Sequence, residues 1–264
     1  METTTTTTAK DYQTKEIQKL INNLLNGKNP ILSKGVTNAK TIKNPLETYI
    51  LYLSPFNQNS KGVNICPNAK LCIWDCLFDQ GRGRFSNVQN ARIARTEFYL
   101  YYKNEFCTKL LKELGKLYTK ALNQKTKILI RLNGTSDLDF FAIVKNRLNF
   151  DILNSFGVDI QSPDFGLVFY DYTKILGKLE KYQNSVYTLT YSYQGINQEE
   201  CKKALEMGNN IAVVFRSTLP KEFMGFSVID GDISDIEMLS NKSKVLGLIA
   251  KGSAKKEKGG FVVD

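Results

Sequence analysis

The chain has 264 residues, 36 Lys and Arg against 26 Asp and Glu, and no histidine. Apolar residues make up 42% and charged residues 23%, which excludes a largely disordered protein. No apolar run approaches the roughly 20 residues of a membrane span. A formal charge of +10 favours an anionic partner, a nucleotide or nucleic acid, and lack of histidine removes the usual nitrogen ligand and general base.

Residues 1–10 are a threonine-rich, low-complexity start expected to be disordered. The stretch from Met1 to Thr8 has neither the basic start nor the apolar run of a secretory leader, so the expected compartment is the cytoplasm. Residues 11–45 read as an N-terminal helix and loop. Ile17, Leu20, Ile21, Leu24 and Leu25 recur at helical spacing, and Asn26-Gly27 stops the helix. A loop through Pro30 and Pro45 leads to a strand at 49–53.

Next comes Cys66-Pro-Asn-Ala-Lys-Leu-Cys72-Ile-Trp-Asp-Cys76, three of the five cysteines within eleven residues. Three thiolates in one loop suit three corners of a four-iron cluster with an open iron, or three of the four bonds of tetrahedral zinc. Buried small residues or a disulfide are the competing readings. Trp74 shields a cluster or stacks on a substrate. The loop Gly81-Arg82-Gly83-Arg84 lacks the spacing of either nucleotide motif, and its two arginines are candidate contacts to nucleic acid.

A long helix is expected over 86–122, with Ser86 as N-cap and Tyr99, Tyr102, Phe106, Leu110, Leu114 and Leu117 as its apolar stripe. The lysines at 103, 109, 112, 116 and 120 read as its solvated face. Cys107, at the edge of the stripe, is a candidate fourth metal ligand, though a helical cysteine beside a core face is more often packing. Cys201 reads as core. Strand-like runs then follow at 127–132, 166–170, 187–191, 211–215, 226–229 and 245–250, several separated by helical stretches. That alternation predicts an α/β protein with a mainly parallel sheet, a (β/α) barrel or partial barrel over 46–264 behind the N-terminal helical extension.

Such sheets place their sites at the carboxyl ends of the strands. The residues there are Asn133, Ser136 and Asp137; Asp171 and Lys174; Arg216; Asp230 and Asp232; and Lys251. The expected pocket takes Asp137, Asp171, Lys174, Asp230 and Asp232 as catalytic groups, and Arg131, Asn133, Ser136 and Lys251 as ligand-binding groups. Arg131, inside an apolar strand, needs a partner such as Asp137 or Asp171. Asp137 also suits a helix N-cap.

The chain resembles the bacteriophage gene-product-88-like group of uncharacterised proteins. The resemblance rests on Cys66, Cys72 and Cys76 with the motifs 81–84, 92–96, 131–137, 169–174, 228–232 and 250–252. It implies the cytoplasm of an infected host cell and brings no established reaction. A weaker resemblance, three cysteines after a first strand followed by strand–helix units, is to the radical S-adenosylmethionine enzymes, although the spacers between the cysteines are longer than is usual there. That resemblance implies a four-iron, four-sulfur cluster on Cys66, Cys72 and Cys76 and S-adenosylmethionine on its open iron, with residues 133–137 and 171–174 facing cofactor or substrate; the positive charge makes a nucleotide or nucleic acid the expected substrate. The alternative function is a non-catalytic nucleic-acid-binding accessory protein with a structural zinc or cluster.

Overall fold

The computed structural model describes residues 12–37, 41–73 and 81–264. Helix α1 (Lys15–Leu25) is capped by Thr14, whose hydroxyl accepts from the Ile17 amide, and stops at Asn26 with Gly27 left-handed at φ 72°. It buries Ile17, Ile21 and Leu24, so the expected helical extension is part of the main core rather than an appendage. Strand β1 (Leu32–Lys34) runs antiparallel to β2 (Thr48–Leu51).

The long helix breaks in two: α2 (Ser86–Tyr101) and α3 (Lys103–Asn123) meet at Tyr102, which leaves the helical region at φ −128°, ψ 55°. The stretch Phe98-Tyr-Leu-Tyr-Tyr102 is nearly all aromatic, and such side chains lose rotamer freedom against a helical turn. The break lets Phe98, Tyr99 and Phe106 cluster, with Phe106 stacked 6.0 Å from Phe140. Tyr102, expected in the buried stripe, is exposed. Ser86 opens α2, but Phe85 is the cap residue and no side chain caps it.

The remaining elements are β3 (Lys127–Arg131), α4 (Phe140–Leu148), α5 (Ile152–Phe156), β4 (Gly166–Thr173), α6 (Leu176–Tyr182), β5 (Tyr187–Ser192), α7 (Gln198–Glu206) and β6 (Asn210–Phe215). They continue with β7 (Glu222–Phe223), β8 (Phe226–Asp230), α8 (Ile236–Ser240), β9 (Val245–Ile249) and β10 (Val262–Val263). The described strands form one sheet in the order β1-β2-β3-β4-β5-β6-β9-β8-β7, parallel except for the β1–β2 and β7–β8 pairs. β10 lies parallel to the last residues of β6, beyond the point where β5 ends its pairing at Ala212.

The mixed α/β sheet is borne out, but a closed barrel is not. From β2 to β6 the strands follow one another in chain order, the winding of a barrel. After β6 that order fails, because β9 takes the place beside β6 and pushes β8 outward. Each edge then ends in a short antiparallel strand, and no described strand joins β1 to β7.

Same-direction winding through right-handed crossovers sends the connecting helices to one face. There Ile128, Ile130, Leu167, Phe169, Leu189, Ile211 and Val213 meet Leu110 and Leu114 of α3, Phe141 of α4, Leu179 of α6 and Ala204 of α7. The opposite, inner face carries a smaller cluster in which Met238 and Leu239 of α8 cover Leu129, Val168, Tyr170 and Leu246.

Candidate functional site at the carboxyl rim

Because β2 to β6, β9 and β8 are parallel, their carboxyl ends emerge along one rim. The loop carrying the cysteines is tied to the rim at three successive strands. After β3, the Asp137 amide donates to the Ile65 carbonyl at 2.9 Å. After β4, the Asn68 side-chain amide donates to the Lys174 carbonyl at 3.0 Å. After β5, Gln194 Oε1 accepts from the Lys70 amide at 2.9 Å and from the Cys72 thiol at 3.5 Å.

Cys66 is buried, with its amide on Asn64 Oδ1 and its carbonyl accepting from the Ala69 amide, a tight turn set by Pro67-Asn68. Cys72 is half-buried. Cys76 and Trp74 lie outside the described residues, as does the side chain of Arg82. Among the described residues no three His, Cys, Asp or Glu gather to hold a metal. The two described thiols share one loop over the rim, and a sulfur-only donor set in a chain without histidine has the chemistry of iron–sulfur and zinc centres.

Asp137 is buried beneath this loop. Its carboxylate accepts from Thr173 Oγ1 at 2.9 Å, the Lys174 amide at 2.7 Å and Lys178 Nζ at 3.0 Å. Side-chain exposure is only 1% for Asp137 and 4% for Lys178, so this is a dry, fully engaged ion pair. The N-cap of α4 is Asp139, two residues on, which accepts from the Ala142 amide.

Asp171 is also engaged. Strand β4 runs three residues further than expected, so Asp171 lies within it and points to the helix-covered face with Phe169. It accepts from the amides of Leu132 and Asn133, from Asn133 Nδ2 and from the Tyr187 hydroxyl at 2.8 Å. Burial pushes its carboxyl above the ordinary range, opposed by Arg131, Lys178 and these donors. Asn133 Oδ1 accepts from Ser136 Oγ and the Leu138 amide, which closes the turn after β3. Asn133, Ser136, Asp137 and Asp171 are thus brought together as one polar scaffold under the cysteine loop.

The other expected groups fall elsewhere. Asp232 binds Lys251 Nζ at 2.7 Å and the Ile249 amide at 3.0 Å, and Asp230 accepts from the Asp232 amide. These three residues sit at the ends of β8 and β9, four and three strand spacings from β4, on the order of 14 to 19 Å along the sheet. Arg84 is exposed in the single turn before α2. Cys107 and Cys201 are fully buried on helix core faces, where burial raises the first thiol and pushes the second up to about 12.

Arg131 lies on the inner face, with its guanidinium 4.7 Å over the Tyr172 ring and its Nε 3.7 Å from Asp171 Oδ1. Sequence reading missed Gln194, Lys178, Thr173 and Tyr187. Gln194, two residues beyond β5, carried the same carboxyl-end signal as the residues chosen. Lys178 carried none, because a lysine in a short helix reads as solvated.

The family model for Gene product 88 matches residues 23–264, so the chain belongs to that phage family. No curated protein and no solved structure matches the chain. The likeness to radical S-adenosylmethionine enzymes gains no support from these comparisons. No described helix is long and apolar enough to cross a membrane.

Proposed function

We propose that this member of the Gene product 88 family holds a metal centre, an iron–sulfur cluster or a zinc ion, on the thiolates of Cys66, Cys72 and Cys76, next to a pocket that takes a nucleotide or nucleic acid. The observation that carries this reading is the three-point attachment of the cysteine loop to the carboxyl ends of β3, β4 and β5. A loop that served only as a connection would not need a buried glutamine holding both its backbone and a thiol.

An iron–sulfur cluster with an open iron would supply one-electron chemistry on S-adenosylmethionine, and zinc would supply a staple for the loop. The chain's own share is to exclude water beneath the loop, through the buried Asp137–Lys178 pair, and to draw an anion with its positive charge.

Metal and acid-labile sulfide analysis of anaerobically purified protein is the direct test. The expected result is one centre per chain, lost when Cys66, Cys72 or Cys76 is changed to Ala. Protein that stays metal-free after anaerobic reconstitution, or a Cys76→Ala variant that keeps its full metal content, ends the proposal. Iron with sulfide supports the redox reading, and zinc alone removes it.

A second reading, a non-catalytic nucleic-acid-binding protein with a structural metal, draws on one feature. The two buried acids of the rim beneath the cysteine loop, Asp137 and Asp171, have their oxygens taken by scaffold donors and are poorly disposed to move protons. It predicts salt-sensitive binding that weakens when Arg82 and Arg84 are changed together.

A further inference from the structure

The inner face of the sheet holds a cation whose charge is offset by Asp171 and Asp235 but whose hydrogen-bond donors the scaffold leaves unspent. Arg131 carries five N–H donors in a fixed fork, yet it makes no hydrogen bond to any described residue, and its Nε is buried without a partner. Its side chain is 15% exposed. The nearest carboxylate, Asp171, is 3.7 Å away and already holds donors from Leu132, Asn133 and Tyr187.

Several other cations of this protein make hydrogen bonds: even Arg95, whose Nε is also buried without a partner, donates Nη2 to Ser33 Oγ at 3.2 Å. Lys178 donates to Asp137 and to the Leu138 carbonyl. Arg216, at the end of β6, spends its nitrogens on Asp264 and on the carbonyls of Lys255 and Glu257. A buried arginine kept only for structure would be expected to spend at least part of its fork in this way, since an unmet donor in a dry place is costly.

The neighbours of Arg131 complete a site. Register places Tyr172 opposite Thr190 on the same face. The Thr190 hydroxyl is fully buried and also lacks a partner. Burial alone would lower the affinity of Arg131 for its proton, but Tyr172, Asp235, Asp171 and Tyr170 hold it above the ordinary value, so the guanidinium is charged. The apolar cover of α8 closes the amino end of this face over Leu129, Val168 and Leu246. Asp235 at the start of α8 is held by the Tyr170 hydroxyl at 2.6 Å. Approach is therefore from the carboxyl rim, where Tyr172, Ser192 and Val214 are half-buried.

We infer that Arg131, stacked on Tyr172 beside Thr190, is the anchor of a binding site for a small molecule bearing an oxyanion, a phosphate or a carboxylate. The guanidinium fork presents paired donors to two oxygens of the ligand. Tyr172 supports the fork from one side, and the Thr190 hydroxyl lies beyond Tyr172 on the next strand of the same face. This deepens the reading of the rim as a ligand site but does not depend on the metal.

Isothermal titration calorimetry of the full chain with inorganic phosphate, thymidine monophosphate and succinate tests it and separates the sources of the oxyanion. At least one of the three should saturate, and Arg131→Lys, which keeps the charge but loses the fork, should weaken that binding by about tenfold to a hundredfold. Thr190→Val should weaken it severalfold, and the exposed Lys255→Ala should leave it unchanged. Thermal unfolding of each variant shows that the fold is kept, and Thr190→Val gives an answer should Arg131→Lys fail to fold.

Failure of all three probes to saturate overturns the inference. So does binding by Arg131→Lys within about twofold of the parent, or an equal loss in Lys255→Ala, which would mean general charge attraction. Metal-free protein that still binds through Arg131 sinks only the metal reading. Metal-loaded protein indifferent to Arg131→Lys sinks only this one.

Discussion

The two ends of the carboxyl rim use the same residue types in opposite ways. At β3–β5, Asp137, Asp171, Lys178 and Asn133 are buried and knit the ends of neighbouring strands to the loops above them. At β8–β9, Asp232 and Lys251 pair in the open, with the lysine side chain 62% exposed. In the first group the carboxylates have lost water and depend on every donor they hold. In the second, water replaces any donor that leaves. An acid at the end of a parallel strand is thus not one kind of object: burial decides whether it is framework or a weak surface contact.

The sharpest way to break that contrast is Lys178→Met. It leaves the Asp137 carboxylate buried without its cation, and such a loss costs about 3–5 kcal/mol. Urea denaturation followed by far-ultraviolet circular dichroism should show the fall in midpoint, and Asp137→Asn combined with Lys178→Met should recover part of it, because the neutral amide needs no cation and keeps an oxygen for Thr173 or the Lys174 amide. A single-variant cost under about 1 kcal/mol would mean that the pair is wetter than its 1% and 4% exposures imply, and the two ends of the rim would no longer differ in kind.

A second probe acts on the turn that holds the β3 end together. Gly134 sits where a Cβ would come within 2.6 Å of Tyr52 Cδ1 and 2.7 Å of Ile50 Cγ2. Gly134→Ala should therefore overpack the junction of β2 and β3 and cost about 1–3 kcal/mol. The thermal midpoint reads it, and an unchanged midpoint would show that Tyr52 swings aside freely.

What could be read from the residues alone follows from the same physics. Period and composition were enough for α1, for the cores of β3, β5, β6, β8 and β9, and for the rim as the place to look. The extension of β4 through Asp171-Tyr172-Thr173 was hidden, because an acid in a strand looks like the strand's end until its donors from β3 and β5 are known. Strand β1 is too short, and too close to Pro30, to stand out from a loop. The open edge of the sheet has no local mark: it follows from β9 inserting between β6 and β8, a long-range choice. Asp137, Asp171, Asn133 and Ser136 were found as a group, but their roles were not legible, since the partner Lys178 sits in a helix with nothing to distinguish it from a surface lysine.

Asp139 tests the contrast at an intermediate point, half-buried at the N-cap of α4. Burial would raise its carboxyl, but Lys181, Tyr182 and the Ala142 amide outweigh that and hold it below its ordinary value of 3.8. An acid lowered in the folded state contributes stability above its unfolded value, and that stability is lost as pH falls through the folded value. Asn also caps helices well. Asp139→Asn should thus be less stable than the parent near neutrality, by about 1 kcal/mol or less, and indistinguishable from it in strong acid. A difference that persists unchanged in acid would assign the loss to packing instead of charge.

The smallest effect should come from the open end. Asp232→Asn keeps an oxygen for the Ile249 amide and removes only the charge facing Lys251, a pair screened by water and salt. The expected change in stability is below about 0.5 kcal/mol, and it should shrink further when salt is raised from about 0.01 M to about 1 M, as the screening length contracts from about 30 Å to about 3 Å. A larger loss, insensitive to salt, would mean that the bond from the Ile249 amide needs the charged carboxylate and not merely an oxygen. The end of β8 would then belong with the buried framework, and the division would lie not between the two ends of the rim but between carboxylates that hold backbone amides and those that do not.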